Sequence, residues 1–401
     1  MSKTISLKSY AKTLMTLTVI AAPIGETIAQ TNKVPAEVVA RRLANKKAKQ
    51  QNPTAAAKKA KTAGVQLYGY VLASDEHDPG LYKFTSNNAA SISLVSDNVH
   101  CYNAATYVQG TYLSSWFEEN DTQVKFPIHF YEYDTSTWQM KIDKPSPELA
   151  YSAISMDLTF DPETQQVYGL FSDDDYSGQY KTLGKLVTTY WGENDYTSNS
   201  ETIGELPESM VAITCNRNGD LYTIGRSGKL YAVNKYSGAA KVLGETGYEP
   251  FKLFQSATCD YSTGKIYWAM LDKDYWATRI IEIDPTTGKG TEVCNFIDNY
   301  ANDQITGLYI KQDLTLKTVP QTVSNLSVDL TGLTSGTVKF TMPTKDVKDA
   351  ALSGSLNYTV RLNGVVAKTG TASAGAAVTT DFTTKISGMT SVSVTAEIAA
   401  S

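Results

Sequence analysis

A short strand-like pattern built around tyrosine recurs five times along this sequence. The tyrosines stand at positions 68, 112, 168, 222 and 267, about 45 to 55 residues apart. A second run with alternating apolar and polar residues follows each copy, for example at 81–84 and at 230–234. Spacings of this size are typical of one supersecondary unit that repeats along a chain. The fold is therefore restricted to architectures that stack similar units.

Each repeat has the pattern of four antiparallel strands. A further run precedes the tyrosine strand at 156–162, 211–216 and 256–260, and a shorter run ends the unit at 240–244 and 291–296. The 25 tyrosines of the chain favour such half-buried pleated surfaces over helices. Four-stranded sheets that repeat at this period are blades of a β-propeller, in which each blade buries its faces against its neighbours.

The two ends of the repeat region indicate how the ring closes. The first copy has no preceding strand, while the run at 304–310 is left over after the fifth copy. Pairing this run with the first copy would remove an exposed sheet edge. We therefore expect an all-β chain with a five-bladed propeller over 65–318, closed by 304–310. A sixth blade within 173–200 is the alternative.

The first residues have the features of an export signal. Three lysines precede an apolar run at 14–22, and small residues end the segment near position 29, as in a secretory signal peptide over 1–29. The apolar run is about half as long as a membrane-spanning helix needs to be. The sequence therefore predicts a secreted, periplasmic or cell-surface protein without a transmembrane segment.

Residues 30–64 form a basic linker rich in alanine and lysine. They carry a net charge of +8 and the signal segment carries +2, so the chain total of −5 leaves −15 on residues 65–401. The basic piece at 39–47 is interpreted either as part of a solvated linker or as a contact for anionic lipid or glycan. The acidic remainder argues against a nucleic acid partner, because phosphate binding needs a positive face.

A different pattern of short strands begins near residue 320. Alternating runs occupy 323–329, 336–343, 356–362, 377–383 and 391–399, with a hairpin at Asn363-Gly364. In the stretch "NLSVDL…GTVKFTMPT…ALSGSLNYTVRLNGVVAKTG…GMTSVSVTAEI" this part resembles a fibronectin type III module, which implies an Ig-like β-sandwich over 319–401. Phe340 replaces the tryptophan usual in that family, and no seventh strand follows the sixth. The resemblance thus implies an open edge, completed by a partner strand or by further C-terminal domains.

The whole order of segments resembles secreted multidomain proteins of gut-type Bacteroidetes. The signal, the basic linker, the tyrosine-rich propeller and the fibronectin-like module follow one another as in those proteins. This resemblance covers nearly the full length, by pattern more than by any diagnostic motif. It implies export and a role at or outside the cell surface.

Catalytic and metal-binding patterns are sparse in the sequence. A propeller glycosidase needs two or three converging carboxylates, and the predicted inner strands offer only Asp157, for which a structural role is the other interpretation. The three histidines are not in metal-binding spacing, and no nucleophile elbow occurs. The acidic runs 75–78 and 173–175 offer oxygen ligands for Ca²⁺ or are solvated surface charge. We expect no cofactor and no resident metal.

The four cysteines are expected to be buried thiols. Cys215 and Cys259 occupy matching places on neighbouring inner strands, which are too far apart for a disulfide. Cys101 precedes a strand and Cys294 falls in an outer strand. Oxidation in an exported protein is the alternative.

Aromatic residues in predicted loops are the strongest functional signal. Beside carboxylates, flat rings suit stacking on sugars or anchoring of a peptide. We therefore expect a non-catalytic binding or adhesion protein that recognises a glycan or an extracellular protein. The alternatives are a polysaccharide hydrolase or lyase and a purely architectural module. The candidate ligand-binding residues on one face of the ring are Trp116, Phe117, Tyr176, Tyr180, Tyr248, Tyr275, Trp276 and Tyr300.

Overall fold

The described part of the protein is all-β apart from one helix. The computed structural model describes residues 34–51, 64–101, 104–117, 128–145, 155–171, 180–186, 200–251, 255–297, 301–332, 334–347, 349–383 and 392–399. The predicted signal peptide and the end of the basic linker, 52–63, lie outside these ranges, as do 173–179 and 187–199 of the alternative sixth blade. In the part of the chain that is described, no helix is long and apolar enough to span a membrane.

Twenty strands make five four-stranded antiparallel sheets. The strands are β1 (Gln66–Ala73), β2 (Gly80–Thr85), β3 (Asn88–Ser96), β4 (Ala105–Val108), β5 (Thr111–Phe117), β6 (Ile128–Asp134), β7 (Met140–Pro145), β8 (Ser155–Asp161), β9 (Gln166–Phe171), β10 (Thr182–Leu186), β11 (Ser200–Glu205), β12 (Met210–Cys215), β13 (Leu221–Gly225), β14 (Lys229–Val233), β15 (Ala240–Glu245), β16 (Ser256–Cys259), β17 (Ile266–Leu271), β18 (Thr278–Ile283), β19 (Gly290–Asn295) and β20 (Gln304–Tyr309). Their order is β20-β1-β2-β3, β4-β5-β6-β7, β8-β9-β10-β11, β12-β13-β14-β15 and β16-β17-β18-β19.

The tyrosine repeat coincides with the second strand of each sheet. The five repeated tyrosines lie in β1, β5, β9, β13 and β17, and the second run of each copy forms the third strand. The first strands β8, β12 and β20 are buried along their whole length. First strands of successive sheets also contact one another: β4 with β8, β8 with β12, β12 with β16, β16 with β20 and β20 with β4.

The leftover strand joins the first sheet as the sequence predicts. In the pairing of β20 with β1, Tyr309 lies opposite Tyr68 and Thr306 opposite Tyr70. The two strands are separated by more than 230 residues of chain. This pairing gives the first sheet its inner strand and brings the end of the repeat region back to its start.

Two three-stranded sheets follow, and they enclose a common core. Their strands are β21 (Ser324–Gly332), β22 (Ser335–Thr341), β23 (Ser355–Leu362), β24 (Val365–Ser373), β25 (Ala377–Thr383) and β26 (Val392–Ile398), in the orders β21-β22-β25 and β24-β23-β26. The core joins Val338 and Phe340 of one sheet to Leu356 and Val360 of the other. The predicted hairpin turn is present, with positive φ of 47° at Asn363 and 77° at Gly364, as its type requires.

The segment after β20 crosses one end of the five sheets and leads to the second pair. The Gln312 side chain bonds the backbone of Tyr261 (2.6 Å) and Cys259 (2.9 Å), and Tyr107 donates to Asp313. Further on, the Arg361 guanidinium lies 4.0 Å above the ring of Tyr236. These contacts join the two groups of sheets.

Helix α1 (Ala36–Gln51) occupies the middle of the predicted linker. The Pro35 carbonyl accepts the first backbone bonds, Glu37 lies in the first turn and lysines gather near the end, which suits the helix dipole. Val38 and Arg42, one turn apart, are only 4% and 8% exposed. Residues 36–51 are therefore not wholly solvated, because this side of the helix packs on the loops of the five sheets.

Candidate functional site

One end of the five sheets carries the loops on which α1 rests. Because neighbouring strands are antiparallel, the loop between the second and third strands of a sheet lies at the same end as the link to the next first strand. We call this end the loop face. Its described segments include 74–79, 97–101, 206–209, 226–228, 246–251, 272–277 and 301–303.

The loop 272–277 is held in one conformation by an aspartate. Oδ1 of Asp272 accepts the backbone N–H of Asp274 at 2.8 Å and of Tyr275 at 2.9 Å. Its Oδ2 accepts Nε of Arg279 at 2.7 Å. Trp276 has a φ of 50°, which is an uncommon conformation for a bulky residue and persists only where the surroundings fix it. The loop is therefore preorganised.

The loop face binds the guanidinium of Arg42 through three acceptors. Nε donates to the carbonyl of Tyr275 at 2.7 Å, and Nη2 donates to the carbonyl of Trp276 at 2.9 Å. Nη1 donates to Oδ1 of Asp75 at 2.7 Å. The other oxygen of Asp75 accepts the amide of Asn302 at 2.8 Å. We call Asp75 and these two carbonyls the guanidinium pocket.

Burial lowers the pKa of the Arg42 guanidinium, and the charge of Asp75 opposes that change. An arginine remains protonated under such a shift because its ordinary pKa is above 12. The pocket therefore holds a cation that is nearly removed from water. Its acceptors replace the hydrogen bonds that water would otherwise make.

Two exposed ion pairs flank the pocket. Nη1 of Arg41 lies 2.6 Å from the carbonyl and 3.1 Å from Oδ1 of Asp274, and Nζ of Lys46 lies 3.7 Å from Oε1 of Glu76. All four side chains are 41% to 57% exposed. Solvent screens pairs of this kind, so Arg42 contributes more to the docking of α1 than they do.

A histidine and a buried aspartate stand next to the pocket. Nδ1 of His77 lies 2.7 Å from Oδ1 of Asp303, whose side chain is fully buried. Burial raises the pKa of Asp303, and His77 opposes the rise. The pair fixes loop 74–79, which carries Asp75, against segment 301–303. It therefore positions the pocket.

Asp157 lies at the centre of the inner strands as a structural residue. Its Oδ2 accepts the backbone N–H of Ile213 at 3.0 Å and of Ala257 at 3.1 Å, and its Oδ1 accepts the hydroxyl of Ser256 at 2.9 Å. That hydroxyl in turn accepts the N–H of Leu308 at 2.9 Å. The carboxyl thus joins β8, β12, β16 and β20. Complete burial raises its pKa well above the ordinary range.

One cavity between the described inner strands is small. A cavity of about 30 Å³ lies between them, lined by residues that include Thr159, Thr214 and Thr258. This is room for about two water molecules. Gln312, from the segment that crosses the end opposite the loop face, lines it as well.

The structure brings two of the predicted ligand-binding residues together. Tyr275 and Trp276 are half-buried neighbours in the preorganised loop, and the ring of Trp276 lies 5.3 Å from that of Phe251. Tyr248 lies in another segment of the loop face, where its hydroxyl accepts the backbone N–H of Glu292 at 2.9 Å. It packs partly against the core.

Three other predicted residues that the structure describes do not lie on an accessible loop. Tyr180 is 2% exposed and belongs to the core around β8 to β13, so its assignment to a binding surface is wrong. Trp116 and Phe117 end strand β5 and do not lie in a loop. Tyr176 and Tyr300 lie outside the described residues.

Sequence reasoning did not identify the residues that build the pocket. The sequence places Arg42 in a basic segment interpreted as a solvated linker or as a contact for anionic lipid or glycan, and Asp75 in an acidic run interpreted as Ca²⁺ ligands or as solvated surface charge. In the structure, Asp75 faces a guanidinium and Glu76 faces an ammonium group. The paired Arg41-Arg42 inside a helix-forming stretch was the available signal. The acidic run 173–175 lies outside the described residues.

All four cysteines are described, and all are thiols. Cys101, Cys215 and Cys259 are buried, as expected, and Cys294 is half-buried. Burial raises the pKa of Cys101 and of Cys259 to about 12 each. These buried thiols are chemically inert at neutral pH, because the reactive form is the thiolate.

No protein-family model matches the chain, and no curated protein matches it. The chain shows weak similarity to a number of solved structures, including the following three. TolB from Acinetobacter baumannii is 13% identical over 77% of this chain and 68% of its own, with a TM-score of 0.34. A structural-genomics protein of unknown function from Bacteroides thetaiotaomicron is 10% identical over 70% and 60%, with a TM-score of 0.33. Hydrazine synthase from Kuenenia stuttgartiensis is 8% identical over 60% and 55%, with a TM-score of 0.29.

The chain spans less than two thirds of the length of the last two proteins. Likenesses at these TM-scores carry no argument about fold detail or function. The architecture therefore rests on the strand pairing of this chain, and the function on its own residues.

Proposed function

We propose that this chain is an exported, non-catalytic binding protein whose loop face recognises an extracellular protein. In this proposal the five four-stranded sheets are a closed five-bladed propeller. The two three-stranded sheets are a fibronectin type III-like spacer. The cyclic contacts of the inner strands and the pairing of β20 with β1 support the closed propeller.

The observation that carries the proposal is the preorganised aromatic loop 272–277. It presents Tyr275 and Trp276 half-buried at the loop face, beside the exposed carboxylate of Asp274. Rigid aromatic residues lose little conformational entropy on binding, and tyrosine and tryptophan dominate binding energy at protein interfaces. A backbone held at an uncommon φ is typical of functional loops.

The centre of the ring favours binding at the surface over chemistry at the axis. Asp157 already accepts three hydrogen bonds from the protein, and the cavity has room only for water. A glycosidase needs a pair of carboxyl groups on either side of a bound sugar. The loop face thus remains the better place for recognition.

A protein partner is favoured over a glycan because the loop face already holds a protein segment. Helix α1 buries Val38 and Arg42 against it. Glycan recognition through the same aromatic residues is the alternative, and the experiment separates the two.

The test uses the full chain on a panel of extracellular proteins and on a glycan array. We expect binding to proteins, weakened at least tenfold by Trp276→Ala and unchanged by Val365→Ala, an exposed apolar residue of the second group of sheets. Binding to glycans but to none of the proteins would mean that the partner is a glycan and not a protein. Binding unaffected by Trp276→Ala, or no binding to either panel, would refute a recognition role for the loop.

A further inference from the structure

We propose that the guanidinium pocket is a receptor for an arginine-bearing helix of a partner protein, and that α1 is its resident, exchangeable ligand. This inference rests on the proposed function, since it uses the same loop face. It adds the chemistry of the partner and the role of residues 36–51.

The pocket is built for a guanidinium group. Its three acceptors come from two separate loops and meet three different nitrogens of Arg42, at 2.7 to 2.9 Å. A planar guanidinium offers five donors in a fixed fork, whereas a lysine offers one compact ammonium group. A lysine at this place would leave at least one of these three acceptors without a well-placed donor. The pocket therefore selects arginine.

The pocket does not depend on Arg42 for its shape. The carbonyls of Tyr275 and Trp276 are positioned by the bonds of Asp272 within the same loop. Asp75 is positioned by Asn302, and its backbone N–H donates to the carbonyl of Ala301 at 2.8 Å. Removal of the guanidinium leaves a preformed, negatively polarised site. Such a site binds a guanidinium group from another helix without a free-energy cost for rearranging the pocket.

Helix α1 is held mainly by this one side chain. Val38 and Arg42 are its buried residues among those described, while Val39 and Leu43 are 42% and 54% exposed. An isolated helix of 16 residues is marginal in water. An element with so few buried contacts opens at low free-energy cost, so a partner helix can replace it.

The contacts of α1 define the sequence that a partner should carry. The apolar Val38 lies four residues before the anchoring arginine, and the basic Arg41 and Lys46 lie one before and four after. Val38 is buried, Arg41 pairs with Asp274 and Lys46 pairs with Glu76. The expected partner is therefore a helix with an apolar residue at i−4, arginine at i, and basic residues at i−1 and i+4.

The test measures binding in trans with the full chain. A fluorescent peptide of residues 34–51 is titrated by anisotropy into wild type, into Arg42→Ala, whose pocket is vacated, and into Leu43→Ala, which changes an exposed residue of α1 and leaves the pocket filled. We expect the peptide to bind Arg42→Ala at least tenfold more tightly than the other two proteins. Circular dichroism of each variant confirms that the fold is retained.

Two further variants test the chemistry of the site. A peptide carrying Arg42→Lys should bind the vacated pocket at least tenfold more weakly, and so should the wild-type peptide when Asp75→Asn is added to the Arg42→Ala protein. Equal binding of the arginine and lysine peptides would overturn the proposal. So would equal binding to the wild-type and Arg42→Ala proteins, or no binding to either.

Failure here is distinguishable from failure of the proposed function. If the panel of extracellular proteins binds through Trp276 while the peptide does not bind, the loop face is a recognition surface and the guanidinium pocket is only a structural contact. If the peptide binds as expected while the panel shows nothing, the proposed recognition of extracellular proteins through Trp276 is wrong, and only the binding of an arginine-bearing helix by the pocket is supported.

Discussion

The ring of Tyr309 stacks on the ring of Tyr68, with centroids 4.9 Å apart and planes 17° from parallel, where strand β20 pairs with strand β1. Tyr309 also lies 5.4 Å from Tyr107 and 5.1 Å from Tyr112, centroid to centroid. One side chain thus packs against the first and the second sheet at the place where the repeat region meets its own beginning.

We predict that Tyr309→Ala lowers the free energy of unfolding by about 3 to 5 kcal/mol, the usual cost of removing a buried aromatic ring. Tyr309→Phe is the matched control. The Tyr309 hydroxyl is buried and has no hydrogen-bond partner among the described residues, so its removal should be neutral or slightly stabilising. Urea unfolding measures both variants. An equal loss of unfolding free energy in Tyr309→Ala and Tyr309→Phe would show that stacking of the ring does not stabilise the fold.

Asp157 should give the protein a pH-dependent stability. Its pKa is raised by burial in the folded state, so the folded protein holds this proton over a range where the unfolded chain, with an ordinary pKa of about 3.9, has lost it. The stability that this group contributes is therefore fully present below about pH 3.9 and is lost as pH rises through the folded pKa.

The variant Asp157→Asn keeps an oxygen acceptor and cannot ionise. The unfolding free energy of wild type relative to this variant should fall as pH rises from about 4 towards about 8. Asp157→Ala, which leaves three buried donors unpaired, should cost at least about 3 kcal/mol at any pH. Denaturant titrations at several pH values check this, and parallel pH curves for wild type and Asp157→Asn would contradict it.

The ion pair between Lys235 and Asp161 should matter far more than exposed pairs. Nζ of Lys235 lies 2.5 Å from Oδ2 of Asp161 and 2.9 Å from the carbonyl of Gly219, and the side chains are 13% and 0% exposed. Lys235→Met leaves a buried carboxylate without its cation and should cost about 3 to 5 kcal/mol.

The control is Lys273→Met, which breaks the pair of Lys273 with Glu249. Those side chains are 56% and 76% exposed, so no measurable change is expected. Thermal unfolding of the two variants gives the comparison. Similar losses of stability in Lys235→Met and Lys273→Met would mean that burial does not determine the strength of these ion pairs.

Thiol labelling should separate the cysteines by burial. In the native protein, a maleimide reagent at neutral pH should modify Cys294 and leave Cys101, Cys215 and Cys259 unmodified, because burial hides them and raises their pKa. Addition of urea should expose all four. Mass spectrometry of digested samples identifies the labelled sites, and rapid native labelling of Cys215 would contradict the burial of β12.

The sequence predicts the strands well because their signals are local. The alternation around Tyr222 and the turn at Asn363-Gly364 depend on neighbouring residues, and both appear where expected. The candidate site is harder to predict from local sequence patterns. Arg42 binds carbonyls 233 and 234 residues away, and backbone carbonyls carry no residue-specific signal. The sequence predicts Tyr180 on the binding surface, whereas the side chain lies in the core. An aromatic residue between two strands gives no indication of whether it faces solvent or the core.

Hydrogen–deuterium exchange of residues 36–51 in the full chain tests most directly the docking on which the binding account depends. A free helix of this length exchanges quickly, so slow exchange reports that α1 is held on the loop face. We predict protected amides in wild type, protection reduced at least tenfold in Arg42→Ala, and no change in Leu43→Ala, which alters an exposed residue of the helix. Fast exchange of this segment in wild type, or equal protection in all three proteins, would contradict the claim that Arg42 anchors α1 in the pocket.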